Sequence, residues 1–258
     1  VIYAAYKLGI KTFIHEQNSI PGKSNKLLIK YTDKIAVSLP GSLEYFPKEK
    51  TIYTGNPRSS EAIKALPIKK YELGLTENKQ LVLIVMGSLG SMTINKELEK
   101  IALKFKDKDY EVIIVTGKDY FDKFQDIKVK NVRIVPFLNN MLNVLKVCAL
   151  IVTRAGASTI AEITAIGLPS ILVPSPYVAN NHQLYNAMEL VNNKASVLLE
   201  EKDFNANNLL TKIDEVLNNK KMLQEMHKNA LKLGKPNSSD LIYKSIKELV
   251  GNEDGKSN

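Results

Sequence analysis

Short apolar runs rich in β-branched residues recur along the chain, separated by longer stretches whose apolar positions fall three and four apart. The runs at 12–15, 34–37, 81–85, 112–115, 132–135, 149–152, 170–173 and 196–199 are four or five residues long and predict buried strands. Helical periodicity fills most of the intervals, at Asn95 to Lys104, Thr159 to Ile166 and Gln183 to Val191, and continues after the last strand at Ala206 to Leu217, Lys221 to Leu233 and Ser239 to Val250. Strand alternating with helix predicts the α/β class, with parallel sheets covered on both faces and ligands held where chain direction switches at the carboxyl ends of strands. No internal repeat is visible.

The strand signals are unevenly divided. Two or three precede Gly55-Asn56-Pro57-Arg58, too few to close a domain, whereas six lie between Leu81 and Leu199, enough for one doubly wound unit. The predicted organisation is therefore a remainder of a first domain at 1–57 and a second domain at 58–235. A helix at 236–250 is expected to pack back on the first domain, and 251–258 reads as a polar, flexible tail. The opening Val1-Ile2-Tyr3-Ala4-Ala5-Tyr6-Lys7 looks like an amphipathic helix entered in its middle, without an initiating Met, so the chain reads as a fragment whose first domain is truncated.

Composition narrows the class. Of 258 residues, 44% are apolar and 24% charged, and Gly with Pro makes about 9%, which excludes fibrous, disordered and low-complexity classes. A single cysteine, Cys148, excludes an internal disulfide and favours a reducing compartment; with three histidines it also makes a structural zinc site improbable. Cys148 reads as a small buried hydrophobe and His227 as a surface residue. No apolar run reaches the roughly 18 residues of a membrane span, and the start has no export signal.

The net charge of +9 points to an anionic partner, but only three of the 36 basic residues are Arg and the lysines are scattered among acidic neighbours. That distribution describes a solvated surface better than a nucleic-acid footprint, so no nucleic-acid partner is expected, while an anionic membrane surface stays open as a weak, salt-sensitive one.

Four segments carry candidate chemistry, each at the end of a predicted strand. Arg154-Ala155-Gly156-Ala157-Ser158-Thr159-Ile160-Ala161-Glu162 runs from strand through small residues into a helix start, where unpaired N–H groups and the positive dipole end suit a phosphate. Gly156 and Ala157 let the anion approach, and Glu162 can accept from a ribose diol; plain capping by Ser158 is the alternative. Met86-Gly87-Ser88-Leu89-Gly90-Ser91 is either a loop donating to a diphosphate or an ordinary strand-to-helix turn, and matches neither dinucleotide nor Walker spacing. In His15-Glu16-Gln17-Asn18-Ser19-Ile20-Pro21-Gly22, Asn18 reads sugar hydroxyls, or else Asn18, Pro21 and Gly22 merely turn the chain. Asn180-Asn181-His182-Gln183-Leu184-Tyr185-Asn186 opens a helix with Gln183 and Asn186 on one face, or is a capped, solvated first turn. Comparable placement in successive units brings all four to one crevice.

At these residues the sequence resembles the MurG family of UDP-N-acetylglucosamine transferases, which add the second sugar to the lipid-linked peptidoglycan precursor. The resemblance is carried by His15-Glu16-Gln17-Asn18 with Pro21-Gly22 and Asn25-Lys26, Gly55-Asn56-Pro57-Arg58, Gly87-Ser88-Leu89-Gly90, the segment from Arg154 to Glu162, Gly167-Leu168-Pro169, and Asn181-His182-Gln183 with Asn186-Ala187, in family order. Met86 and Leu89 depart from it, standing where the family usually has Gly and Gln. The resemblance implies a two-domain GT-B fold with Rossmann-like sheets and inverting transfer from UDP-N-acetylglucosamine to the undecaprenyl-diphosphate-linked muramoyl-pentapeptide, without cofactor or metal, at the cytoplasmic face of the membrane. It also implies that Arg58 and Ser88 meet the diphosphate, and that Leu138 contacts uracil through its backbone. Ala157, Ser158 and Thr159 would form the phosphate-facing helix start, and Glu162 would hold the ribose. Gln183, Asn186 and Asn18 would face the sugar, with His182 beside them among the substrate-binding positions. The family's glycine-rich opening loop, with its candidate base, has no counterpart here, so the fragment's activity is expected to be impaired or absent. A non-catalytic UDP-sugar-binding remnant, a diacylglycerol glycosyltransferase and a UDP-sugar 2-epimerase are the competing readings. Arg154 is a second candidate for clamping the diphosphate.

Overall fold

The computed structural model describes residues 1–86 and 92–251, with residues 92 and 93 described by their backbone alone. The order is α1 (Ile2–Lys7), β1 (Phe13–Glu16), α2 (Lys23–Leu28), β2 (Lys34–Val37), β3 (Thr51–Tyr53), α3 (Arg58–Lys64), β4 (Leu81–Val85), α4 (Met92–Lys104), β5 (Glu111–Val115), β6 (Val132–Val135), α5 (Met141–Leu145), β7 (Leu150–Thr153), α6 (Ala157–Ile166), β8 (Ser170–Leu172), α7 (His182–Asn192), β9 (Ser196–Leu198), α8 (Ala206–Asn218), α9 (Lys220–Leu233) and α10 (Ser238–Gly251), with short 3-10 turns between several of them.

Two parallel sheets result. One has three strands in the order β1-β2-β3; the other has six, in the order β6-β5-β4-β7-β8-β9. In the larger sheet the chain works outward from β4 to β6, then returns to β7 on the other side and works outward again. Direction therefore reverses between β4 and β7, which are hydrogen-bonded neighbours with Val85 opposite Thr153. A crevice opens outside the carboxyl ends of strands at such a switch point.

The inner strands β5, β4, β7 and β8 are buried on both faces, which is why they are almost wholly apolar, while β6 at one edge is half-buried and exposes Arg133. Because side chains alternate, Val82, Ile84, Val112, Ile114 and Val152 pack on one face against Ile94, Leu98 and Ile101 of α4 and Leu209, Ile213 and Val216 of α8. Leu81, Leu83, Ile113 and Ile151 pack on the other against Val144 and Leu145 of α5, Ile160 and Ile163 of α6, Leu190 of α7 and Ala230 of α9. The three-stranded sheet has a much smaller core of Ile14, Ile35, Val37 and Phe46.

The chain passes between the two sheets twice. At the first passage Gly55 has φ +75°, and a Cβ there would meet the Lys235 side chain at 2.4 Å. At the second, a Cβ on Gly234 would lie 2.5 Å from the Thr164 carbonyl oxygen. Hydroxyls bind the passages together: Ser238 donates to the Asn56 carbonyl, Ser60 to the Pro236 carbonyl at 2.8 Å, and Tyr53 to the Leu233 carbonyl at 3.0 Å. Helix α10 lies against α3, and its Glu248 reaches Lys34 of β2 at 3.6 Å. Within the larger half, His227, exposed on α9, is bonded through Nδ1 to the Gly167 carbonyl at 2.6 Å and so closes the end of α6.

Candidate functional site

A cavity of about 750 Å³ occupies the switch point. Its wall includes Val85 and Met86 at the end of β4, Thr153 and Arg154 at the end of β7, and Gly156, Thr159 and Glu162 on the turn into α6. Leu138, Met141, Leu145 and Val115 give it an apolar side, with Phe137 half-exposed at its edge, while Ser175, Tyr177 and Gln183 close it from the segment leading into α7.

The polar side is built by the backbone. Gly156 is the N-cap of α6 in extended conformation, and no side chain caps the helix. This removes the capping alternative for Ser158, which lies inside the first turn and is exposed. The opening N–H groups of α6 are thus left with no side-chain acceptor, at the positive end of a ten-residue helix. A Cβ placed on Gly156 would meet nothing nearer than the Thr159 hydroxyl at 4.0 Å, so the approach to these amides is open. The sequence expectation for Gly87-Ser88-Leu89-Gly90, including Ser88, falls outside the described residues.

Glu162 sits one turn further along α6 and is buried. Its Oε1 accepts from Arg58 Nε at 2.8 Å, and Arg58 also pairs with Glu61. Burial pushes the Glu162 carboxyl pKa above the ordinary range, partly offset by Arg58. Burial acts against the Arg58 charge, but the bond and charge of Glu162, with Glu61 behind, outweigh it and raise the guanidinium pKa. Arg58 therefore stands beside the cavity as the partner of the carboxylate expected to hold the ribose, not among the residues of the wall.

The remaining expected positions divide sharply. Leu138, Thr159, Glu162 and Gln183 line the cavity, whereas Ala157 faces a small space between the two halves together with Gly55 and Asn56. His182 bonds through Nδ1 to the Ala179 carbonyl at 2.9 Å and does not border the cavity. Asn186 corrects the expectation of a sugar-facing amide. It is fully buried, its Oδ1 accepts from Ser19 N at 2.8 Å, and its Nδ2 donates to Asn18 Oδ1 at 3.0 Å and to the Ala155 carbonyl at 3.2 Å. Asn18 and Asn186 thus join the loop after β1 to the turn before α6 instead of presenting free groups to the cleft.

The loop after β1 is held by a residue to which the sequence pattern assigns no role. The buried Glu16 carboxylate accepts from Asn18 N at 2.9 Å, Gly22 N at 3.0 Å and Asn25 Nδ2 at 2.8 Å, so it folds the loop around itself. His15 Nε2 lies 3.0 Å from the Gly55 carbonyl and 2.9 Å from the Ser38 hydroxyl; the carbonyl requires that nitrogen to carry the proton. Burial holds the His15 pKa below its ordinary value. Gln17 accepts from Asn56 at 3.3 Å. The polar run is neither a row of ligand contacts nor a solvated turn but a set of internal ties.

Arg154 is also placed differently from a diphosphate clamp. It is buried, donates from Nη1 to the Val173 carbonyl at 3.1 Å, and meets Glu201 at 2.6 Å, so that nitrogen is engaged by protein groups although the residue lines the cavity. Cys148 donates to the Val144 carbonyl at 3.2 Å, and burial pushes its thiol pKa well up, so the thiolate is suppressed. Among the described residues no group of three or more His, Cys, Asp or Glu side chains is arranged to hold a metal ion.

Sequence comparison defines the class that this fold and cleft belong to: a glycosyltransferase family 28 C-terminal domain model matches residues 81–242, and the N-terminal domain model of the same family matches 1–37. A UDP-N-acetylglucosamine–N-acetylmuramyl-(pentapeptide) pyrophosphoryl-undecaprenol N-acetylglucosamine transferase of Bacillus cytotoxicus is 46% identical over 97% of this chain and 70% of its own length, and that of Bacillus licheniformis 45% identical over 96% and 70%. Among solved structures, Acinetobacter baumannii MurG superposes with a TM-score of 0.77 at 26% identity, over 96% of this chain and 69% of that one. The chain belongs to the MurG transferases of glycosyltransferase family 28. A Neisseria meningitidis UDP-GlcNAc 2-epimerase aligns with a TM-score of 0.67 over 96% of this chain and 72% of that one, but at 16% identity it shares the GT-B fold alone.

Proposed function

We propose that the switch-point cavity binds UDP-N-acetylglucosamine and that the chain serves its transfer to the undecaprenyl-diphosphate-linked muramoyl-pentapeptide, the reaction named for its relatives. The observation that carries this reading is the uncapped start of α6 opening on a cavity between β4 and β7. In the reaction the acceptor hydroxyl oxygen forms a bond to the anomeric carbon as the bond from that carbon to the β-phosphate oxygen breaks. Configuration inverts, the hydroxyl proton passes to a base, and UDP departs with the electron pair. Negative charge grows on the β-phosphate, and the fixed N–H groups of Ala157, Ser158 and Thr159 meet it without reorganising. Leu138 and the apolar side receive the base, Glu162 receives the ribose, and Arg58 keeps Glu162 charged and oriented. Gln183 faces the sugar.

The experiment is UDP titration by calorimetry beside a transfer assay with lipid-linked acceptor. Glu162→Ala is expected to weaken UDP binding by about 1–3 kcal/mol, the range for a hydrogen bond to a charged group. Unchanged UDP affinity in this variant would remove Glu162 from the site, and parent protein that binds no UDP would refute the reading as a whole.

Peripheral contact with an anionic cytoplasmic membrane surface is part of the same proposal. No helix among the described residues is long and apolar enough to span a bilayer. Leu27 is 73% exposed on α2 between Lys23, Lys26 and Lys30, with Tyr45 exposed beneath Lys26 at 4.9 Å. Apolar side chains ringed by lysines suit anionic headgroups. Sedimentation with phosphatidylglycerol vesicles at low salt should bring the protein down and phosphatidylcholine vesicles should not; equal binding to both would contradict it.

A further inference from the structure

Arg154 borders the cavity and is paired with the buried Glu201 side chain, which does not, and neither residue has a part in the transfer chemistry. The Glu201 side chain is 7% exposed and its counter-charge is Arg154 Nη1, 2.6 Å away. Neither of its oxygens has a hydrogen-bond partner among the described residues. A buried carboxylate held chiefly by one guanidinium is costly to keep as mere structure, because desolvation of the two charges offsets much of their attraction. The same Nη1 donates to the Val173 carbonyl at 3.1 Å, so the pair fixes the backbone just beyond β8.

The segment beyond Val173 is short and stiff. Ser175 lies between Pro174 and Pro176, whose rings fix their own φ and restrict the residue before each of them. The Ser175 N–H donates to Gln183 Oε1 at 2.8 Å. Since a backbone N–H can only donate, this bond determines which end of the Gln183 carboxamide is oxygen and leaves the Nε2 amino group as the free end at the cavity wall.

We propose that Glu201 and Arg154 are positioning residues for donor-sugar selection: through Val173 and Ser175 they fix the Gln183 carboxamide with its amino group toward the sugar, so that it donates to an oxygen of the hexosyl moiety. This rests on the reading of the cavity as a UDP-sugar site. Because the relay ends on the sugar and not on the nucleotide, it governs the affinity for UDP-N-acetylglucosamine relative to UDP, a ratio that a general loss of stability does not move.

The test is calorimetric binding of UDP and of UDP-N-acetylglucosamine to the full chain and to Glu201→Gln, which keeps the shape and removes the charge. Expected is UDP affinity within twofold of the parent and UDP-N-acetylglucosamine affinity lowered five- to tenfold. Gln183→Ala should give the same pattern, and the double variant should be no worse than Gln183→Ala alone. Should Glu201→Gln not fold, Arg154→Lys carries the same expectation, because it keeps the buried charges while moving the donor away from the Nη1 position that meets both Glu201 and the Val173 carbonyl. An unchanged affinity ratio in the folded variant, or an equal fall for both ligands, overturns the proposal. A parent that binds neither ligand instead refutes the underlying site reading.

Discussion

The two halves of the molecule are held in different ways. The six-stranded sheet is stabilised by apolar burial on both faces, with Leu81, Val82, Leu83 and Ile84 of its central strand fully buried. The three-stranded sheet has four buried apolar residues in its cluster and depends on polar ties: Glu16 within its loop, His15 and Gln17 to the Gly55-Asn56 passage, Asn18 to Asn186. Apolar burial is non-directional and makes a rigid frame, whereas hydrogen-bonded ties specify one relative placement at small net energy. The six-stranded frame thus supports the cavity, and the tied half is set against it by a few directional contacts.

The largest effect that sharpens this contrast comes from equal truncations in the two halves. Leu83→Ala should cost about 2–5 kcal/mol of global stability, read as a lower thermal midpoint. Ile35→Ala, equally buried but in the small cluster, should speed hydrogen exchange in β1 to β3 while leaving β4 and β7 protected. Uniform acceleration in both sheets would show that the halves do not differ in this way.

A smaller effect is expected from pH. The folded state holds the His15 pKa below its ordinary 6.5. The unfolded chain therefore binds a proton that the fold resists, so this contribution to stability is intact above about pH 6.5, falls as pH drops below it, and is fully lost below the depressed folded pKa. His15→Gln should flatten that acid-side loss in thermal melts, and an unaltered slope between pH 7 and 5 would contradict it.

The same division explains what could be read from the sequence. The strands β2, β4, β5, β7 and β8 are legible because near-continuous burial leaves a near-continuous apolar signal, whereas β3, Thr51–Tyr53, is three half-buried residues and gives none. The cleft was legible because a strand ending in small residues before a helix has local chemistry. Its side-chain partners were not, since Asn18 and Asn186 meet across 168 positions and Arg154 finds Glu201 only after β8 and then β9 have been added outward from β7. Nothing within a local window distinguishes an amide that faces a ligand from one that joins two halves. Glu16 escapes notice for a related reason: a carboxylate in a polar run carries no sign that it will be buried.

The direct test of the account is a structure of this chain with UDP. The β-phosphate oxygens should lie within hydrogen-bond distance of the backbone nitrogens at the start of α6, with the ribose hydroxyls on Glu162 and the base beside Leu138. A nucleotide bound elsewhere, with the amides of Ala157 to Thr159 still facing solvent, would contradict it.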